Sequence, residues 1–235
     1  VIGKDLENKR NVYFLKKFIG ENDVEIANHS YSHFFDLGSK NYNEIYKEIN
    51  QSHDIIYKKL NVAPKGFCSP TWTFSENVIN VLTKLNYNYD TSNFNSLWLF
   101  PMMGKIFLNH LLNFDLSKSF KLLKRSDYFQ MLRHKTNPYF VYENFNKKSK
   151  KKILEIPMPS SSKFNVPIWH TIGFMFGFNF LKKQILDHMK TKSFINYVIH
   201  PADILINRDL DNKYVNSLPR LNNNQLHNKI HNFEK

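Results

Sequence analysis

Two histidines stand four residues apart in the stretch Glu25-Ile26-Ala27-Asn28-His29-Ser30-Tyr31-Ser32-His33. Imidazole nitrogens hold transition metals such as zinc at about 2.0–2.1 Å, and a site needs its ligands on one side of the backbone. A separation of four meets that need on one helical turn, where i and i+4 share a face. It also meets it in a tight turn leaving a strand end. The apolar run Val24 to Ala27, directly before the pair, reads as a buried strand. The spacing by itself more often describes a solvated helix face. His227 and His231 repeat it within a polar C-terminal stretch that follows no strand, and those two read as surface residues.

The elements around the pair alternate. Apolar positions Val12, Leu15, Phe18 and Ile19 predict a helix over Lys9 to Gly20, and Ile45, Ile49, Ile56 and Leu60 predict a second over Asn43 to Leu60. Lys65 to Ser69 reads as a short strand and Ser75 to Leu85 as a helix with Ser75 as its N-cap. Asn88 to Thr91 and Lys152 to Pro157 read as strands, Asn179 to His188 as a helix, Phe194 to Ile199 as a strongly apolar strand, and Leu221 to Phe233 as a last helix. The middle, Phe94 to Asn146, is irregular, with a helical stripe over Leu116 to Arg133. Strand, helix, strand, helix predicts an α/β protein with parallel strands, either an open sheet or a (β/α) barrel. His29, Ser69 and His200 then all fall at C-terminal strand ends, the rim where barrels place their chemistry.

The totals limit the alternatives. A chain of 235 residues with 42% hydrophobic and 15% aromatic content can bury its own core. The single cysteine, Cys68, excludes an intrachain disulfide framework. Lys and Arg outnumber Asp and Glu by 33 to 20, giving +13. Much of that charge lies in Asn/Lys-rich stretches and in the solvated loop Lys147 to Lys152. We read it as solubility and attraction to acidic polymers rather than as a nucleic-acid surface. No apolar run is long enough to span a membrane. The opening Val1-Ile2-Gly3 reads as the tail of a strand whose beginning lies upstream.

These segments resemble the polysaccharide deacetylase family, the NodB-homology carbohydrate esterases. Asn28-His29-Ser30-Tyr31-Ser32-His33 is similar to the family's His-Ser/Thr-x-x-His metal motif. Gly66-Phe67-Cys68-Ser69-Pro70-Thr71-Trp72 resembles the third motif, Arg-x-Pro after an aromatic residue, and Leu85 to Ser92 resembles the segment that follows it. Tyr197-Val198-Ile199-His200 resembles the last motif, in which an apolar strand delivers a histidine. The order is right over most of the chain apart from its middle.

The resemblance implies a distorted (β/α)7 barrel forming a single domain over 1–235, with 94–150 as a variable insertion and the first strand upstream. It implies a hydrolase that removes N-acetyl (or O-acetyl) groups from a polysaccharide or glycan precursor of cell wall, capsule or lipopolysaccharide. It also implies a divalent cofactor: Zn2+, with Co2+, Ni2+ or Mn2+ as substitutes. Carried over by motif, His29 and His33 are metal ligands, His200 is the acid that protonates the departing amine, and Pro70 and Trp72 line the sugar groove. No nucleic-acid partner is implied, and the place of action is the cytoplasm or envelope of a bacterium. The family's first motif, the Asp pair that supplies base and third ligand, lies upstream of Val1. That predicts a weakly metallated, inactive fragment within an active whole. Two other readings stay open, the second because Cys68 stands where the family has Arg. One is a hydrolase of a non-peptide C–N bond like the allantoinase branch; the other is a barrel that binds glycan without turnover.

Overall fold

A computed structural model describes residues 1–98, 135–161, 165–192 and 194–200, and between 98 and 135 residues 100, 101, 104, 107, 108, 111, 125, 127 and 132. They fall into two compact units, Val1–Asn95 with Asn113–Pro157, and Ser96–Leu112 with Met158–Lys235. The insertion expected over 94–150 is thus shared between the two.

In the first unit the helices follow the apolar stripes. Helix α1, Lys9–Glu21, starts where the Asn8 side chain accepts the Arg10 N–H. Its Val12, Leu15 and Ile19 pack on a cluster of Leu6, Ile26, Ile56 and Leu60. Helix α2, Tyr42–Leu60, opens with a capping box in which Asn41 and Glu44 each satisfy the other's backbone N–H, and ends on Asn61 in the left-handed region. It buries Ile45, Ile49, Ile56 and Leu60. Helix α3, Glu76–Lys84, is capped by the Ser75 side chain, which accepts from Val78 N–H.

Four strands complete that unit: β1 (Gly66–Phe67), β2 (Tyr89–Asp90), β3 (Tyr139–Tyr142) and β4 (Lys152–Glu155). They lie in the order β1-β2-β4-β3. The pairs β1/β2 and β2/β4 are parallel, and β3 runs antiparallel to β4. The chain is therefore α/β, as read from its alternation, but its sheet is mixed and, among the described residues, open. Strand β3 arises inside the stretch read as irregular. It follows Pro138 directly and sits on the sheet edge, where Phe140 remains 51% exposed and no full alternating pattern is required.

Two expected strands are corrected. Val24 to Ala27 is extended but carries no ladder; Asn28 alone bridges Phe67. Its other side is met by Val1, whose amino group donates to Ala27 O (2.6 Å) and whose carbonyl accepts His29 N–H (2.9 Å). Phe194 to Ile199 likewise contributes one parallel bridge, Val198 with Trp169. A ladder needs successive paired residues; Val24 to Ala27 has none and Phe194 to Ile199 has one.

The second unit holds helices α4 (His170–Phe176) and α5 (Phe178–Thr191). Helix α5 matches the stretch read as helical, extended at both ends. Within the helix expected over Leu116 to Arg133 only Arg125, Asp127 and Leu132 are described, and none of the three is helical. The helix expected over Leu221 to Phe233 and the control pair His227/His231 lie outside the described residues. Among the described residues no helix is long and apolar enough to cross a membrane.

Candidate functional site

The histidine segment is built on Asn28. Its backbone N–H donates to Gly66 O (2.9 Å) and its carbonyl accepts Cys68 N–H (3.0 Å), which ties it to the end of β1. The fully buried side chain donates to Ile49 O and to Tyr87 Oη, and accepts the Ser30 N–H at 2.9 Å. Ser30 then turns into the left-handed region at φ +63°, and its hydroxyl accepts the N–H of His33, itself at φ +57°. These two turns carry the chain back on itself. The ring of His33 meets the ring of His29 edge to face, with centroids 5.0 Å apart. The pair therefore sits in a turn at a strand end and not on a helix face. Glu48, buried on α2, fixes the turn by accepting the Ser32 N–H.

The rings are oriented by their surroundings. His29 Nδ1 lies 2.5 Å from the Cys68 carbonyl, so that nitrogen carries the proton and donates, which puts the lone pair on Nε2. Metal-ligating histidines commonly donate their second nitrogen to a carbonyl in this way, which fixes tautomer and ring direction. The donor set of His29 and His33 thus fits two ligands of a metal. Among the described residues no three His, Cys, Asp or Glu side chains converge to hold an ion.

Pro70 and Trp72 belong to a tight turn, Pro70–Trp72, in the same unit. Thr71 Oγ1 donates to Phe35 O (2.8 Å), and the Phe35 ring lies against His33 at 5.6 Å. The indole of Trp72 is half-buried and stacks on buried Phe94 at 5.5 Å. The first unit therefore brings His29, His33, Pro70 and Trp72 into linked loops. His200 belongs to the second unit. It is half-exposed and follows Val198, whose carbonyl accepts the His170 N–H at 3.0 Å. Burial pushes the Cys68 thiol up to about 11. With no metal cation beside it the thiol is neutral at neutral pH.

Two carboxyl groups were not singled out from sequence. Asp90 ends β2 and Glu155 ends β4, and the parallel register sets them side by side. Both are fully buried, and among the described residues no hydrogen bond reaches Asp90 Oδ2 or Glu155 Oε2. Burial is the main cause that raises both above the usual carboxylate range, and for Glu155 the neighbouring Asp90 charge adds to it. Asp90 Oδ1 accepts from Ser92 Oγ (2.5 Å), and Ser92 Oγ accepts the Ser69 N–H (2.8 Å). The pair thereby anchors the loop that carries Pro70. The available signal was an acidic residue closing each of two short apolar strands; only the register reveals that they meet.

This pair has a pH signature. Both groups hold protons more tightly folded than unfolded, so their contribution is fully present below the unfolded value near 4 and is lost as pH rises through the raised values. Wild-type stability should fall as pH rises from about 4 through about 6 and beyond. Glu155→Gln, which removes one of the two buried acids, should flatten that fall. Denaturant midpoints measured across the range check it, and parallel curves for the two proteins would take Glu155 out of the pH dependence.

One comparison with known proteins bears on the family that the motifs resemble. The family model for polysaccharide deacetylases matches residues 3–89. No curated protein matches the chain. Among solved structures, a protein from Mycobacterium smegmatis provisionally assigned as a polysaccharide deacetylase is similar at 16% identity with a TM-score of 0.41, over 63% of this chain. The match covers 36% of that protein, so the chain corresponds to about a third of its length.

Proposed function

We propose, for a chain whose residues 3–89 belong to the polysaccharide deacetylase family, that the domain hydrolyses N-acetyl (or O-acetyl) groups on a polysaccharide or glycan precursor. The observation that carries the reading is the His29–His33 turn, with two imidazoles edge to face and one aimed by the Cys68 carbonyl. In this reading His29 and His33 hold a divalent cation, zinc or in its place cobalt, nickel or manganese. When bound, such a cation polarises the acyl carbonyl and lowers the pKa of water.

The chain's own residues do the rest. Asn28 and Ser30 keep the imidazoles turned toward one another, and the Cys68 carbonyl keeps the His29 proton on Nδ1. Trp72 and Pro70 offer an apolar face on which a sugar ring rests. Water adds to the acyl carbon, and His200 delivers a proton to the amine nitrogen as the acyl carbon–nitrogen bond breaks, so that the products leave as acetate and free amine. The Asp90–Glu155 pair supports the Ser69–Pro70 loop through Ser92. The proposal includes closure of the sheet into a (β/α)7 barrel as a single domain over 1–235, and action in the cytoplasm or envelope of a bacterium.

The test is acetate release from chitooligosaccharides or peptidoglycan fragments by the zinc- or cobalt-loaded full protein. His200→Ala should lower kcat by about 10²–10⁴-fold, the usual worth of a positioned acid. Equal rates for variant and wild type would remove His200 from the chemistry. Sugar binding with no acetate release would favour a non-hydrolytic glycan-binding barrel, the reading that Cys68 at the Arg position supports.

A further inference from the structure

The turn beside the candidate site is conformationally expensive. Thr71 and Trp72 are consecutive non-glycine residues in the left-handed region, at φ +51° and +52°. For a β-branched residue such as Thr71 this is a genuine outlier, and it persists only where the surroundings over-determine it. The surroundings that do so come from 54 residues further along the chain. Arg125 Nη1 donates to Thr71 O (3.0 Å) and Thr71 Oγ1 (3.3 Å), and Nη2 donates to Trp72 O (3.3 Å).

The guanidinium is held in turn by Asp127. Arg125 Nε donates to Asp127 Oδ1 at 3.0 Å and Nη2 to Oδ2 at 2.8 Å, a two-pronged pair whose side chains are both fully buried. Asp127 Oδ2 also accepts the Phe74 N–H at 3.0 Å. One ion pair thus satisfies two carbonyls and one N–H of the turn, backbone groups that no helix or strand would otherwise meet. It adds rigid geometry that a lysine's single ammonium cannot reproduce.

We infer that Arg125, locked by Asp127, is a positioning residue for sugar binding: it holds the Thr71–Trp72 turn, and with it the Trp72 indole, on the loop that Thr71 links through Phe35 to His33. The inference rests on the reading that Trp72 contacts the glycan. Cys68 removes the arginine that the third motif resembles, and this arginine arrives on the same loop from elsewhere in the chain. It bonds the turn and not the Asp90–Glu155 pair, so its role is to place the aromatic platform rather than to tune a carboxylate.

The test uses the full chain labelled with 5-fluorotryptophan, with the Trp72 resonance assigned by Trp72→Phe, titrated with penta-N-acetylchitopentaose and assayed separately for acetate release. Arg125→Lys keeps the charge and loses the fork. It should weaken the chitopentaose Kd about tenfold, raise KM in proportion and leave kcat within about twofold. Trp72→Ala should weaken binding similarly, and adding Arg125→Lys to it should cost nothing more, because the arginine acts through the indole. Asp127→Glu, which keeps both charges and displaces the fork, is the second variant and should move Kd in the same direction. An unchanged Kd in both variants, or additive losses in the double variant, would overturn the inference. Weakened binding with no acetate release from any protein would leave it standing and remove the deacetylase reading instead.

Discussion

His29→Ala and His33→Ala should each strip the metal from the full protein and lower deacetylation by about 10³-fold or more. A Lewis-acid cation is worth several kcal/mol of transition-state charge stabilisation, and each 1.36 kcal/mol is tenfold in rate. The two substitutions should be nearly equal. Each removes one of the two imidazoles proposed to hold the cation. The overall fold should survive. The turn is held by Asn28, Ser30 and Glu48 rather than by the rings themselves. Metal content by mass spectrometry, with circular dichroism as the folding control, reads the outcome. A variant that keeps both its metal and its rate would take that histidine out of the site.

Asp127→Ala should be the most destabilising single change outside the apolar core. It leaves the Arg125 guanidinium buried without its counter-ion and the Phe74 N–H without its acceptor. Removing one partner of a buried pair typically costs about 3–5 kcal/mol, because the surviving charge stays desolvated. Urea unfolding of the full chain measures it. A loss under about 1 kcal/mol would mean that water reaches the guanidinium and that the pair is not the clamp described above. Replacing both partners together should cost less than replacing one, since no lone charge remains.

What could be read from sequence was what is local. Helices α1, α2 and α3 lie within a residue or two of their predicted bounds, because their apolar stripes, the Asn41/Glu44 box and the Ser75 cap are all short-range signals. The short strands β1, β2 and β4 lie inside their predicted stretches. The expectation of a purely parallel sheet gave way at β3, whose pairing with β4 depends on partner and edge position rather than on its own pattern.

The same division holds at the site. His29 and His33 were visible as a spacing, but their edge-to-face meeting depends on two left-handed residues, Ser30 and His33, that no periodicity announces. The Asp90–Glu155 pair exists only because β2 and β4 are neighbours in register across 65 positions of sequence. Arg125 lies in the stretch read as variable, and nothing nearby in sequence points it at Thr71. Contacts made by side chains across long separations are set by tertiary packing, which one sequence does not print.

The central claim is that His29 and His33 are the protein's two imidazole ligands to a divalent cation. X-ray absorption at the zinc edge of the loaded full protein tests it most directly. Two imidazole nitrogens at about 2.0–2.1 Å are expected around the zinc, reduced to one in His29→Ala and in His33→Ala, with no sulfur at about 2.3 Å. A shell without imidazole, a sulfur scatterer that disappears in Cys68→Ser, or a shell unchanged in both histidine variants would contradict it.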